Sequence, residues 1–551
     1  MESLELLFKT NTDMIDMLYE MVRQIRRQNF NRADRLLRIF LPEFGKMMTD
    51  VLSPEFDCYE MADLDMRANI VTGMLKEIMA CQEEGDYILL ADLIELDMLP
   101  FMINIQDAVR SHVHPLGEGP AIAGYAFDKE TGAYVKKVDG RSYVLEQTSQ
   151  GAFTLKITDK SHGFYLHSNI SPTDEGRSFA EQYYELNGQK YLIIGLGLGY
   201  HVKALCDKCH GVPVTVYESD REIFELNEIL GSLSAYKEKG LNIVFDPDHK
   251  ELLRELGGGE GYILAIHYPS IRLIENDDIR ARMQELFVQD SSIRGQLPEM
   301  TANFHRNIKY CRHYVDELWD MFRGKSVYIA AAGPSLDENL ELLKEASADK
   351  DSLIIVVGTA FRKLTSDPDI KPDLAIVLDA SERIYKQVEG LTLDRTPFII
   401  CSTACADIGR DMPGEKYLVC QKGFAKAEGY AKANKLRTYE SGGSVATLAF
   451  DIALRLKAAR IIMAGLDLAY PDNKMHATGT SVRNLSDDGT GLIEVASNDG
   501  GRVYTTTAMN MYRRWFEKRI REAFDEMGDD TPRIINLSKR GALIKGMQKD
   551  L

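Results

Sequence analysis

The feature that most constrains the fold is a series of short apolar runs separated by helix-length stretches in the second half of the chain. Six such runs occur between residues 326 and 464: Ser326–Ala332, Ser352–Val357, Leu374–Asp379, Pro397–Ser402, Lys416–Val419 and Arg460–Ala464. Buried strands that alternate with helices form a parallel sheet with both faces covered. The pattern therefore predicts a doubly wound α/β domain, and a helix over His305–Phe322 leads into it.

A second, shorter series lies between residues 190 and 300. A predicted strand, Lys190–Ile194, runs into the glycine turn Gly195–Gly199, and a second strand ends at Glu218, close to Asp220. A glycine turn after one strand and an acid after the next are typical of nucleotide-binding α/β domains, including the methyltransferase type. Because glycine also serves tight strand-to-helix turns, a nucleotide site and a plain turn both stay open.

The remaining parts of the chain have other sequence patterns. Apolar residues recur at helical spacing near the N-terminus, and short alternating runs between glycines follow up to about residue 170. The fold class is therefore α/β, with two doubly wound parallel-sheet (Rossmann-like) domains, a helical N-terminal region and a helical C-terminal segment. The predicted domains are 1–110 (helical), 111–300 (β-rich insert plus α/β domain), 301–505 (central α/β domain) and 506–551 (helix and strand packing on the central domain).

Charge and hydropathy exclude several classes of protein. The formal net charge is −18, which disfavours binding to nucleic acid or to an anionic membrane surface. No apolar run reaches the roughly 18 residues of a membrane span. The acidic N-terminus does not have the pattern of a secretory signal, so we expect a soluble cytoplasmic protein.

The eight cysteines do not form a disulfide framework. Cys206, Cys209 and His210 spell C-x-x-C-H, which is also the pattern of haem attachment, but the segment falls where a helix should follow the glycine turn. A zinc site would need a second Cys or His pair at ligand spacing, and none stands out. We therefore expect no metal site and no required cofactor.

The strongest local motif is Ala330–Glu338, which ends a predicted strand and opens a helix. Ser335 and Glu338 match an S-x-x-E capping box, and Gly333 would let a ligand approach the backbone. The free N–H groups of such a turn and the helix dipole favour an anion. An efficient strand-to-helix turn without a ligand is the alternative reading.

Three further stretches fall on the same predicted sheet edge. Small residues at Ser441-Gly442-Gly443-Ser444 precede an apolar helix, Ala464–Tyr470 follows a strand, and Asp379 ends another. Ligands of open α/β sheets bind at the carboxyl ends of the strands. After His313, His476 is the only histidine, and it lies in a polar loop near that edge, where a general base would be useful.

Together these stretches resemble the motility-associated factor (Maf) glycosyltransferases, whose central domain is similar to bacterial CMP-sialic acid transferases and to the MptE-like domain of pterin diphosphokinases. The resemblance covers about residues 190 to 550. It is carried by Gly333-Pro334-Ser335-Leu336, Lys371-Pro372-Asp373 with Asp379, Gly442-Gly443-Ser444-Val445, Gly465–Tyr470, Asn536 with Gly541–Gly546, and YLIIGLGLGYH with VYESD.

The resemblance implies transfer of a nonulosonic acid (pseudaminic, legionaminic or sialic-type) from a CMP-activated donor to Ser or Thr of flagellin, in an inverting reaction. Gly333, Pro334 and Ser335 would cradle the cytidine monophosphate, and Ser441 to Ser444 would bind cytidine or phosphate. Thr359 lies where those transferases use an asparagine on the donor. Tyr470, Asp467 and His476 would be the catalytic residues, with Tyr470 steadying the departing phosphate and His476 acting as the base. A single phosphate needs no metal if hydroxyls and helix N-termini neutralise it.

Three alternatives remain open. An MptE-like 6-hydroxymethylpterin diphosphokinase would use ATP and Mg²⁺, held by carboxylates such as Asp379 and Asp467. A non-catalytic flagellar assembly scaffold would keep the fold without turnover. A methyltransferase would use the unit around 195–220, although its catalytic residues are not identifiable. The sequence does not fix the oligomeric state.

Overall fold

The structure is a computed structural model. It describes residues 2–51, 64–84, 87–110, 112–113, 121–159, 162–257, 261–385, 396–471 and 492–549. The chain divides into two compact units, residues 1–294 and 295–551, which are taken in turn.

The first unit begins with helices: α1 (Glu2–Arg26), α2 (Phe30–Val51), α3 (Leu64–Glu84), α4 (Tyr87–Leu93) and α5 (Leu99–Arg110), with a π-helical turn at Ile94–Met98 between α4 and α5. Apolar side chains at helical spacing on α1, among them Leu7, Met14 and Leu18, are buried. Asn11 lies on that buried face and donates to the Met102 carbonyl oxygen (2.9 Å) and the Gln106 side chain (2.7 Å) on α5. A buried amide with these partners fixes the register between the two helices.

A five-stranded antiparallel sheet follows, in the order β1-β2-β3-β4-β5. Its strands are β1 (Ala126–Asp128), β2 (Ala133–Val138), β3 (Arg141–Gln147), β4 (Phe153–Asp159) and β5 (His162–Tyr165). Asp139 and Gly140 both have positive φ (50° and 82°), the geometry of a two-residue hairpin turn.

The α/β part of the first unit contains a four-stranded parallel sheet in the order β8-β7-β6-β9. The strands are β6 (Tyr191–Ile194), β7 (Val214–Glu218), β8 (Leu241–Phe245) and β9 (Ile263–Ile266). The helices are α6 (Pro172–Tyr183), α7 (Tyr200–Lys208), α8 (Arg221–Leu230), α9 (Ser234–Lys237), α10 (Lys250–Gly257) and α11 (Tyr268–Ile271). The strand order reverses between β6 and β9, which is the switch point of this sheet.

The second unit is built on an eight-stranded, all-parallel sheet in the order β10-β15-β14-β13-β12-β11-β16-β19. Its strands are β10 (His313–Tyr314), β11 (Ser326–Ala330), β12 (Ser352–Val357), β13 (Leu374–Val377), β14 (Phe398–Cys401), β15 (Lys416–Val419), β16 (Arg460–Ala464) and β19 (Arg533–Asn536). Two further strands, β17 (Ile493–Ala496) and β18 (Arg502–Thr505), form an antiparallel pair.

Helices precede and follow these strands. They are α12 (Asp277–Tyr310, which contains the boundary between the units), α13 (Trp319–Phe322), α14 (Leu340–Ala348), α15 (Ala360–Thr365), α16 (Ala406–Asp411), α17 (Ala425–Asn434), α18 (Val445–Arg455) and α19 (Thr507–Met527). Arg519 on α19 is buried and donates to Asp451 on α18 (2.8 Å), which compensates both charges.

The predicted helix over His305–Phe322 is interrupted in the structure, and helical structure resumes only at Val315–Leu318 (3₁₀) and α13. The helix ends at Tyr310, and His313–Tyr314 form β10, which pairs in parallel with Tyr417 and Leu418. That pairing involves a segment about a hundred residues away, which local spacing does not reveal.

The α/β fold class with two parallel sheets, a helical N-terminal region and a helical C-terminal segment is confirmed. Strand β19 also places part of the C-terminal segment inside the eight-stranded sheet. Within the described parts of the chain, no helix is both long and apolar enough to cross a membrane.

Candidate functional site

The candidate site lies at the carboxyl edge of the eight-stranded sheet, around the switch point between β11 and β16. The two strands stay paired beyond their ends, because Ala331 N–H donates to the Ala464 carbonyl (2.8 Å) and Gly333 N–H to the Gly465 carbonyl (2.9 Å). Open α/β sheets bind ligands outside such a switch point. In this chain, backbone hydrogen bonds between the two strand ends take up part of that space.

Asp467 occupies the centre of this switch point. Its side chain is buried (2% exposed) and accepts hydrogen bonds from the Ser335 backbone N–H (2.9 Å), the Ser335 hydroxyl (3.0 Å) and the Ser538 hydroxyl. Burial raises the pKa of Asp467, against the lowering effect of these donors. The structure therefore brings the predicted site residues Ser335 and Asp467 together, and their polar groups hydrogen-bond to each other.

The glycines of this region serve that close packing. A Cβ on Gly333 would come closer than 3.0 Å to the Asp467 carboxylate and to the Gly465 carbonyl oxygen. A Cβ on Gly465 would meet the Ala331 carbonyl oxygen in the same way. Gly333 is therefore required by the chain's own carboxylate, whatever ligand approaches the turn.

The capping box predicted for Ser335 and Glu338 is wrong. The segment Pro334–Asn339 is a 3₁₀ helix with Gly333 at its N-cap and no side-chain cap. The Ser335 hydroxyl donates to Asp467, and Glu338 pairs with Arg540 (3.0 Å). A capping box needs the serine at the N-cap, where its hydroxyl accepts from a backbone N–H, but Ser335 lies inside the 3₁₀ helix and Gly333 is the N-cap.

The Ser441–Ser444 turn opens α18. Ser444 is the N-cap, and its hydroxyl accepts from Ala446 N–H (3.3 Å). A Cβ on Gly442 would come closer than 3.0 Å to the Trp515 ring, so glycine is needed for this aromatic contact. Since α18 precedes the parallel strand β16, its N-terminus points to the carboxyl edge, where its dipole favours an anion.

The turn after β12 lies next to this helix N-terminus. Helix α18 packs on β11, β12 and β13, and a Cβ on Gly358 would be 3.8 Å from Val445. Thr359, beside Gly358, is half-buried. The structure therefore brings the turn after β12 and the Ser441–Ser444 turn together.

Accessibility divides the predicted site residues into two groups. Asp379 and Gly443 are exposed, and Gly333, Pro334, Thr359, Ser441, Gly442 and Ser444 are half-buried. Ser335, Asp467 and Tyr470 are buried, at 5%, 2% and 2% exposure. A ligand could contact the residues of the first group, whereas those of the second group lie beneath the surface of the edge.

Of the predicted catalytic residues, Tyr470 lies within the described part of the chain and His476 does not. Tyr470 is held by its N–H, which donates to the Tyr504 carbonyl (2.9 Å), and it directly precedes the end of the described segment 396–471. His476 lies outside the described residues. Its role as a base stays a prediction.

The sequence did not predict that two asparagines on α12 hold the loops after β13 and β14. Asn303 on α12 donates to the Ala380 carbonyl (2.9 Å), and Asn307 donates to the Ala404 carbonyl (2.7 Å). These bonds hold the loops that follow β13 and β14, including the loop of Asp379. Two asparagines one helical turn apart on α12 were the only local signal.

The comparisons with known proteins concern this same region. Residues 300–473 match the model of the 6-hydroxymethylpterin diphosphokinase MptE-like family. A structure search finds similarity to the Maf glycosyltransferase from Magnetospirillum magneticum AMB-1, with 17% identity, a TM-score of 0.39 and coverage of 82% of this chain and 73% of that chain. The search of curated proteins finds no match. Both similarities are to the families that the sequence motifs resemble.

The glycine turn of the first unit, Gly195–Gly199, is fully buried. Leu196 N–H donates to the Glu218 carboxylate (2.8 Å), and Leu198 N–H donates to Nε2 of His167 (2.9 Å). Cβ atoms on Gly195 and Gly197 would come closer than 3.0 Å to Ser270 and His167, respectively. Two of the backbone donors that a nucleotide phosphate would use are therefore engaged by side chains of the same unit.

Proposed function

We propose that this chain is a glycosyltransferase that moves a nonulosonic acid from a CMP-activated donor to Ser or Thr hydroxyls of flagellin. The supporting observation is that the accessible turns after β11 and β12 and the N-terminus of α18 share one edge of a parallel sheet. Such an edge suits the single phosphate of CMP. The motif resemblance supplies the identity of donor and acceptor.

The residues divide into donor-binding and positioning roles. Ser441 to Ser444 bind the phosphate through backbone N–H groups and hydroxyls, and Gly333, Pro334 and Thr359 line the nucleotide. Asp379 is placed to accept from a sugar or ribose hydroxyl. Asp467 acts through Ser335 as a positioning residue, because its oxygens are occupied by internal donors.

In the proposed reaction His476 removes the proton of the acceptor hydroxyl. The hydroxyl oxygen attacks the anomeric carbon while the bond from that carbon to the phosphate oxygen breaks, so configuration inverts and CMP leaves. Tyr470 steadies the departing phosphate. The α18 N-terminus offsets the negative charge that develops there, so this chemistry needs no metal ion.

Calorimetric titration of the full chain with CMP, without added metal, tests the donor site. We expect Ser441→Ala to weaken CMP binding about tenfold or more, since a hydrogen bond to a charged group is lost. Ser352→Ala is the matched control because Ser352 begins β12 at the opposite edge of the sheet. Unchanged binding in Ser441→Ala, or equal loss in both variants, contradicts the donor site.

Transfer from CMP-nonulosonate to purified flagellin tests the reaction itself. We expect His476→Ala to reduce turnover by about 10² or more while CMP affinity and Tm stay unchanged. His313→Ala, an exposed histidine of the same unit, is the control. Wild-type turnover in His476→Ala removes the assignment of the base.

A second candidate function is favoured by the family match over residues 300–473: an MptE-like diphosphokinase that uses ATP and Mg²⁺. Mg²⁺ would need carboxylates, and Asp379 is exposed whereas Asp467 is held by three internal donors. Titration with ATP plus Mg²⁺ separates the two candidates. Binding of ATP only with Mg²⁺, and none of CMP, favours the diphosphokinase.

A further inference from the structure

Three histidines from separate parts of the first unit meet in its interior. His167 follows β5, His201 lies on α7, and His267 follows β9; they are 3%, 1% and 4% exposed. One ring nitrogen from each lies within 4.8 Å of the others. The three residues, called here the histidine cluster, are far apart in the sequence, so no motif reveals them.

Each ring of the histidine cluster is oriented by an outer partner. His167 Nδ1 lies 3.4 Å from the Glu175 carboxylate, His201 Nε2 lies 2.9 Å from the Gly195 carbonyl oxygen, and His267 Nδ1 lies 2.7 Å from the Ser270 hydroxyl. A carboxylate, carbonyl or hydroxyl on one ring nitrogen is the usual support of a metal-binding histidine. Such a partner orients the ring and leaves the second nitrogen for an ion.

Two of the three second nitrogens in the histidine cluster have no hydrogen-bond partner, and the third accepts one hydrogen bond. Nδ1 of His201 and Nε2 of His267 are buried without a hydrogen bond, and Nε2 of His167 accepts only from Leu198 N–H (2.9 Å). Buried polar atoms are nearly always partnered, so two such nitrogens in one cluster point to a bound group.

The position in the fold agrees with a bound group. His267 follows β9, and Gly195, whose carbonyl orients His201, follows β6. These two strands flank the point at which the order of the four-stranded sheet reverses. Ligands of α/β sheets lie at this point, and here it is filled by imidazoles instead of open backbone donors.

We propose that His167, His201 and His267 bind one divalent transition-metal ion of the zinc class. Three imidazole nitrogens suit Zn²⁺ and its neighbours, while Mg²⁺ and Ca²⁺ prefer oxygen ligands. The half-buried Glu175 carboxylate, which also accepts from Ser168 N–H (2.7 Å), supplies negative charge beside His167. The ion ties the segment after β5, helix α7 and the end of β9 to one another.

Binding requires the rings to move and one hydrogen bond to break. Ring nitrogens around a tetrahedral zinc ion at about 2.0–2.1 Å are about 3.3 Å apart, so the cluster contracts from its present separations. The rings of His201 and His267 are stacked, with centroids 4.2 Å apart and planes 5° from parallel. An ion lies in the plane of each ring that binds it, so one ring rotates, and Leu198 N–H releases His167.

The test measures metal content and thermal stability of the full chain after treatment with chelator and reloading with Zn²⁺. We expect about one tightly bound zinc per chain and a Tm that rises on reloading. His201→Gln and His267→Gln should each lower zinc affinity at least tenfold and remove the rise in Tm. His249→Gln, another buried histidine of the same unit, is the matched control and should behave as wild type.

Loading with Co²⁺ identifies the ligands without relying on a variant that folds. Visible ligand-field bands without a near-ultraviolet thiolate charge-transfer band are expected for nitrogen ligands. No stoichiometric ion and no change in Tm for wild type overturns the proposal. A strong thiolate band, which would place the ion on cysteines such as Cys206, overturns it as well.

Discussion

Each unit of this protein contains a glycine turn at the carboxyl end of a parallel strand, and the two turns use their glycines for the same purpose. In the first unit Gly197 leaves room for His167, and in the second Gly333 leaves room for Asp467. In both turns a backbone N–H that could bind a phosphate donates to a side chain of the same unit. Glycine spacing therefore marks close packing as readily as a ligand site.

The two turns differ in accessibility. Residues Gly195–Gly199 are all buried, whereas Gly333 and Pro334 stay half-buried beside the open Ser441–Ser444 turn. The first turn is closed by histidines and an acid, and the second keeps an accessible edge. This difference in burial favours the second unit as the place of the proposed nucleotide site.

The largest expected effect comes from filling the closed turn. Gly197 has φ +49°, and its Cβ would overlap His167, so Gly197→Ala should destabilise the protein by about 2–4 kcal/mol. Gly333→Ala should destabilise by a similar amount through Asp467 and, unlike Gly197→Ala, should also weaken CMP binding. Urea unfolding and calorimetry of both variants make the comparison. Loss of CMP affinity in Gly197→Ala would break the distinction between the turns.

Asp467→Asn probes the carboxylate that holds the open turn. Asparagine has the size of aspartate, but one of its two acceptor oxygens is replaced by an NH₂ donor, so one of the hydroxyl or N–H donors loses its partner. We therefore expect a loss of about 2–3 kcal/mol in the free energy of unfolding. CMP affinity should fall with it, because the Gly333 turn is positioned through Ser335. A stable variant with normal affinity would show that this network does not support the edge.

Glu218, the acid of the closed turn, should give a pH dependence. Burial raises the pKa of Glu218 to about 7, although the N–H groups of Asp220 and Leu196 oppose this. Because its pKa in the unfolded chain is about 4.3, the folded state binds the proton more tightly. The stabilisation is present in full below that unfolded value and is lost as pH rises through 7.

Between pH 5 and 7 this group should therefore remove about 2 kcal/mol from the free energy of unfolding. Denaturant titrations of wild type and Glu218→Gln across this range measure it, and the variant should lack this component. An equal pH slope in both proteins would assign the dependence to other groups.

Ser444→Ala should have the smallest effect. Its hydroxyl caps α18 by accepting from Ala446 N–H, so we expect a loss of about 1 kcal/mol. The same hydroxyl borders the proposed phosphate position, and CMP affinity should fall. Ser352→Ala, at the start of β12 on the opposite edge of the sheet, provides a comparison. Affinity unchanged in Ser444→Ala would leave this serine with only its capping role.

Much of the fold could be predicted from the sequence because it depends on local periodicity. Apolar strand runs separated by helix-length stretches predicted parallel sheets, and strands such as Ser352–Val357 and Arg460–Ala464 lie where the pattern placed them. Ser444 was likewise recognisable as a helix start. The two-residue strand His313–Tyr314 was not, because its strand partner lies about a hundred residues away.

Tertiary structure alone decided which groups occupy the turns. Ser335 and Asp467 are 132 residues apart, yet their hydrogen bond replaces the predicted capping box. His167, His201 and His267 share no spacing that suggests a ligand set, and folding brings their rings together. Sequence by itself determined the strands, the helices and the positions of the glycines. Burial and long-range packing determined which donors are used internally and which edge stays open, because both depend on residues far apart in the chain.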